Sequence, residues 1–103
     1  GWLGLEVQAL TPELAETFGL SQNDGILVAG VLRGGPAADA GLLPGDIILS
    51  IAGQAAVNGR SSMNQVAKMR PGEQMALEVL REGEVRLLQA EVGMRPQITG
   101  PQQ

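Results

Sequence analysis

The stretch Gly35-Pro36-Ala37-Ala38-Asp39-Ala40-Gly41-Leu42-Leu43-Pro44-Gly45-Asp46-Ile47-Ile48 leaves the backbone less freedom than any other part of the chain. Pro36 suits a first helical position, where a missing N–H loses no bond, and Ala37, Ala38 and Ala40 make a short turn of small residues that can lie close to other backbone. Gly41 ends that turn. Glycine enters the left-handed region without a steric penalty, and Leu42 just beyond is placed to cover Ala37, as a Schellman-type cap requires. Leu43-Pro44-Gly45-Asp46 then spells a type II turn, with Pro and Gly at its central positions. Ile47 to Ile51 reads as a strand running inward. Physical chemistry alone makes this a helix, a corner and a strand, with no chemistry of its own.

The rest of the chain is placed around it. Leu5-Glu6-Val7-Gln8-Ala9 alternates apolar and polar, the mark of a strand with one face on a core. Thr11-Pro12-Glu13 opens a short helix with Thr11 as N-cap, Glu13 and Glu16 near its positive end, and Leu14, Ala15 and Phe18 as its buried side. Gly19 closes it, and Ser21 to Gly25 is a polar turn. Ile26 to Leu32 is apolar almost throughout, which predicts a strand buried on both faces. Ile51-Ala52-Gly53-Gln54 is the next turn. Ser61 or Ser62 can cap a further helix, with Asn64 or Gln65 reaching back as a capping box, and Arg70-Pro71-Gly72 ends it. On that helix Met63, Val66, Ala67 and Met69 span more than one narrow stripe at about 100° per residue. Either all four belong to the core or the helix faces two things. Met75 to Arg81 and Val85 to Val92 form a hairpin over Glu82-Gly83. Residues 94–103 lack periodicity and read as a mobile tail.

At 103 residues the chain is one domain, and with one Trp, one Phe and no Tyr its core must be aliphatic. A net charge of −4 gives no electrostatic reason to approach phosphates, which argues against nucleic acid as a partner. The chain has no His and no Cys, so a Ser-His-Asp centre cannot be built from it and thiolate metal sites are excluded. No catalytic residue, metal site or cofactor is expected. The longest uncharged run, Ile47 to Gly59, is too short to span a bilayer. A start at Gly1, without initiator Met or leader, reads as a segment of something longer.

The Gly35–Ile51 block closely resembles the signature of PDZ domains, in particular those of periplasmic HtrA-type (Deg-type) serine proteases. The aromatic-aliphatic-Gly-aliphatic start at Trp2-Leu3-Gly4-Leu5, the helix at Ser61 to Met69 and the Arg70-Pro71-Gly72 exit extend the likeness over most of the chain. One departure is Ala52, where the family more often has Asn or Asp. The resemblance implies an α+β, mainly β fold: a PDZ domain over residues 1–93, five or six strands in a partly open barrel or sandwich with two helices. It further implies the circularly permuted bacterial order, in which the peptide-binding strand comes first, and a tail at 94–103.

In function, the resemblance implies capture of a partner's apolar C-terminus by strand addition. The carboxylate would lie on backbone amides of a loop at Trp2, Leu3, Gly4 and Leu5, and the peptide would pair along Glu6 and Val7, with Met63, Val66, Ala67 and Met69 walling the groove. Core packing of Trp2, Leu3 and Leu5 at a frayed start is the alternative. PDZ domains that demand Ser or Thr two residues before the ligand's end use a His at the start of the groove helix. Here Ser61 and Ser62 occupy that neighbourhood, so no such demand is expected. The expected setting is periplasmic, in a parent that can be anchored to the inner membrane. There the module regulates an attached serine protease in envelope stress, its cue being the tails of misfolded outer-membrane proteins, and it makes no membrane contact itself. A processing or intramembrane protease as parent, or a structural module whose groove is filled by the parent's own segment, are the alternatives.

Overall fold

The computed structural model describes residues 1–20 and 24–94, and along them run β1 (Leu5–Ala9), α1 (Pro12–Thr17), β2 (Ile26–Val31), α2 (Pro36–Ala40), β3 (Ile47–Ile51), β4 (Gln54–Ala55), α3 (Gly59–Ala67), β5 (Gln74–Arg81) and β6 (Glu84–Glu91). The strands make one antiparallel sheet in the order β1-β2-β3-β5-β6, with β4 paired to β3, and the sheet does not close on itself. Three short helices accompany it, at the three places where the residues themselves spell one, and one more than the two that the family resemblance implies.

The opening stretch folds as its residues dictate. Gly41 takes φ +99°, its N–H donates to Ala38 O at 3.0 Å, and Leu42 N–H donates to Ala37 O at 3.0 Å, completing the Schellman pattern. Asp46 N–H donates to Leu43 O across the turn, with Gly45 at φ +97°. Asp46 has a second task that local reading missed. Its carboxylate, 2% exposed, accepts from Leu43 N–H at 3.0 Å and from Arg81 of β5, through Nε at 2.8 Å and Nη2 at 2.6 Å. Arg81 Nη2 also donates to Gly41 O at 2.7 Å, so one guanidinium ties β5 to both the helix cap and the turn. Burial pushes the Asp46 carboxyl up, but the bonds from Arg81 and Leu43 outweigh it and hold the group below its usual value.

Two faces of the sheet carry apolar clusters. The main one gathers Leu3, Val28, Ile48, Val66, Leu77 and their neighbours, with Ala37 and Leu42 of the opening stretch within it. A smaller one, Leu10, Ala15 and Ile47, lies beside α1. In β2 Ile26 and Val28 are buried while Ala29 is exposed, so the strand alternates and the expectation of burial on both faces fails: α1 is only six residues long and leaves part of that face open. Phe18 is likewise exposed. It follows the last helical residue, so its ring is not carried onto the packed side with Ala15.

The N-cap of α3 is Asn58, not Ser61 or Ser62: its Oδ1 accepts from Ser61 N–H at 2.8 Å, and the helix begins at Gly59. Gln65 forms no capping box; its Nε2 donates to Ile51 O at 3.0 Å and fastens α3 to β3. The β3–β4 turn places both Ala52 (φ +51°) and Gly53 (φ +83°) in the left-handed region, the type I′ geometry for which Asn or Asp is the better first residue. Glu82 and Gly83 repeat that pattern between β5 and β6. Apart from Met94, which is exposed, the expected tail lies outside the described residues, as do Ser21, Gln22 and Asn23 of the polar turn.

Candidate functional site

Trp2, Leu3 and Gly4 form the loop that enters β1, and their carbonyls are all tied into the protein. Trp2 O accepts from Gly93 N–H at 2.9 Å, Leu3 O from Ala37 N–H at 2.8 Å and Gly4 O from Leu32 N–H at 2.8 Å. Gly4 takes φ +74°, a conformation open to glycine. Among the described residues no protein acceptor stands against the Leu3 or Gly4 N–H. Backbone amides without a protein acceptor can hold an anion, where they converge, without any charged side chain.

The loop feeds an edge. β1 pairs on one side with β2, and its other edge has no strand partner among the described residues. Leu5 and Val7 are half-buried and pack on the main core, while Glu6 and Gln8 are exposed on the opposite face. Across the free edge stands α3. Gly1, Trp2, Leu3, Gly4 and Leu5 from the loop and strand and Met63, Val66 and Ala67 from the helix line one pocket of about 250 Å³. The α3 N-terminus closes down on the strand at Val7, where a Cβ on Gly59 would stand 3.0 Å from Val7 Cγ2.

Of the ten residues singled out from sequence, Trp2, Leu3, Gly4, Leu5, Met63, Val66 and Ala67 are brought to this pocket. Val7 packs on the main core beside the start of α3 and does not line the pocket. Glu6 points to the far face, and Met69 packs against the core without lining the pocket. Val66 does both jobs, at 2% exposure in the main cluster and in the pocket wall, whereas Ala67 is exposed. Nothing in the residue pattern marks Gly1, whose nitrogen donates to Ala67 O at 2.9 Å and ties the loop to the last turn of α3. No group of three or more His, Cys, Asp or Glu residues placed to hold a metal occurs among the described residues.

An open strand edge, an amide-lined loop and an apolar helix wall are the parts of a groove for an extended chain end. The family model for the PDZ domain matches residues 1–92. This chain belongs to the PDZ family. Among its relatives, a probable periplasmic serine endoprotease of DegP-like type from Pseudomonas fulva (strain 12-X) is 43% identical over 96 residues, covering 93% of this chain and 20% of the relative. One from Hahella chejuensis is 38% identical over the same length, and this chain spans about a fifth of the length of these curated relatives. Among solved structures, HtrA-type protease AlgW with a tripeptide aligns at TM-score 0.86 with 61% identity, over 97% of this chain and 33% of that one. The HtrA3 PDZ domain bound to a phage-derived ligand, FGRWV, aligns at TM-score 0.72 with 26% identity, over 87% and 82%. Those neighbours hold peptides. No helix among the described residues is long and apolar enough to cross a membrane.

Proposed function

We propose that the β1–α3 groove captures the free C-terminus of a partner polypeptide and thereby regulates an attached HtrA-type serine protease in the periplasm. The observation that carries this reading is the conjunction of the unpaired β1 edge with the Trp2–Leu5 loop, whose carbonyls are turned into the protein. A peptide would add antiparallel to β1, its carboxylate on the amides around Leu3 to Leu5 and its last side chain in the pocket walled by Met63, Val66 and Ala67. Such a pocket favours an apolar terminal residue. Ser61 and Ser62 offer no imidazole for a hydroxyl two residues earlier, so that position is free to vary.

Support for the larger role comes from the relatives, named as periplasmic serine endoproteases, and from AlgW, solved with peptides. On this reading the cue is the exposed tail of a misfolded outer-membrane protein, and its capture controls proteolysis by the parent chain. The test is a library of free C-terminal pentapeptides scored by fluorescence anisotropy. Winners with apolar ends and no fixed hydroxyl support the reading. Winners that all carry Ser or Thr two residues from the end, or an absence of binding by any member, overturn it.

A further inference from the structure

We infer that Glu6 makes this groove prefer a ligand with a cationic residue, Lys or Arg, immediately before its C-terminal residue. The inference rests on the strand-addition reading above and adds a selectivity to it. Side chains alternate along β1: Leu5 and Val7 face the core and α3, and Glu6 faces the other side of the sheet. With the ligand's last residue opposite Leu5 and its carboxylate on the loop amides, antiparallel pairing sets the penultimate residue directly opposite Glu6. The two side chains then share a face, with Cβ atoms roughly 4.5–5.5 Å apart.

That face is already shaped for an occupant. A pocket of about 440 Å³ opens there, lined by Trp2, Gly30, Val31 and Leu32 beside Glu6. Gly30 is the β2 partner of Glu6, and its missing side chain leaves room for the carboxylate to lie across the strand: a Cβ at Gly30 would stand 3.1 Å from Glu6 Oε1. No Lys or Arg among the described residues forms an ion pair with Glu6. Trp2 packs over Gly4 and offers a ring to a cation, while half-exposed Leu32 offers apolar surface to an aliphatic stem. A carboxylate without a cation, an aromatic ring and an apolar floor together complement a long side chain with a charged tip. An acidic penultimate residue meets like charge instead.

The experiment uses three free-acid pentapeptides that differ only in the penultimate residue, Lys, Gln or Glu, titrated into the wild-type domain, Glu6→Gln and Glu6→Lys. Ratios of affinities are compared, so any general effect of a substitution on folding or strand pairing cancels. The wild type is expected to favour Lys over Glu by about threefold to tenfold at low salt, the combined size of an exposed attraction and a like-charge repulsion. Glu6→Gln should bring the ratio near one, Glu6→Lys should invert it, and about 0.5 M salt should shrink it. A ratio that Glu6→Lys leaves unchanged, or a wild-type preference for Glu, overturns the inference while the strand-addition reading stands. If none of the peptides binds any of the proteins, the strand-addition reading itself has failed, and the inference with it.

Discussion

Replacing Arg81 by Leu should destabilise the domain by about 3 kcal/mol, although Arg81 lies in no binding site. The wild-type Asp46 carboxylate accepts three bonds, two of them from Arg81 at 2.6 and 2.8 Å and one from Leu43 N–H at 3.0 Å. Arg81→Leu leaves a 2% exposed anion with the Leu43 bond alone. Removing one partner of a buried pair typically costs about 3–5 kcal/mol, and the 21% exposure of the Arg81 side chain puts this case at the lower end. Total stability for a domain of this length is about 5–15 kcal/mol, and each kcal/mol moves Tm by roughly 4–8 °C, so a fall of about 15 °C is expected. The assay is thermal unfolding followed by circular dichroism at neutral pH and again in acid. Because the folded Asp46 pKa lies below its unfolded value of about 3.9, the pair stabilises fully above that pH and the contribution is lost as pH falls through the folded value. The gap between wild type and Arg81→Leu should therefore close in acid. Asp46→Asn combined with Arg81→Leu should recover part of the loss, since the amide oxygen still accepts from Leu43 without a buried charge. A single variant that melts within about 2 °C of wild type at pH 7 would show that the pair contributes little.

Three further substitutions separate groove from core and test the strained turn. Ala67→Glu places a carboxylate on an exposed helix position in the pocket wall, so it should melt within about 0.5 kcal/mol of wild type yet weaken a C-terminal peptide at least about tenfold. Val66→Glu buries its charge in the main cluster and should unfold the domain, and a folded Val66→Glu would mean that the position is not core. Ala52→Asn, at φ +51° in the β3–β4 turn, should stabilise by about 0.5–1 kcal/mol in a guanidinium titration, and a loss of stability would contradict the type I′ assignment.

Local chemistry was readable wherever the residues act on their own neighbours. The Gly41 cap, the Pro44-Gly45 corner, the Thr11 N-cap and the Glu82-Gly83 hairpin all follow from short-range sterics and hydrogen bonding, and the structure has each of them. Long-range partners were not readable. Nothing local to Asp46 announces Arg81, because the pair forms only when β5 is laid beside β3. The α3 cap went to Asn58 over Ser61 and Ser62 because the chain arrives there still extended, at φ −157° and ψ 158°, two residues after Ala56 N–H is held by Leu49 O. Phe18 and β2 depart from expectation for one reason: an apolar residue is buried only where something covers it, and a six-residue α1 cannot cover that face. At the candidate site the loop, the strand and the two-sided helix were legible. That Glu6 turns to a separate pocket required the register of β1 on β2.

The central claim, that the Trp2–Leu5 loop receives a terminal carboxylate, is tested most directly by two isothermal titrations of one apolar-ended pentapeptide, as free acid and as C-terminal amide. A short strand buries little surface, so the acid is expected to bind with about micromolar Kd, near −8 kcal/mol. Hydrogen bonds from amides to an ionised group are worth about 1.5–3 kcal/mol each, and the amide's NH₂ points donors at donors. The amide should therefore bind at least about tenfold more weakly, a difference of 1.4 kcal/mol. Equal affinities would contradict the account, because they would mean that the Leu3 and Gly4 N–H groups bind no carboxylate and that the groove reads internal segments of extended chains.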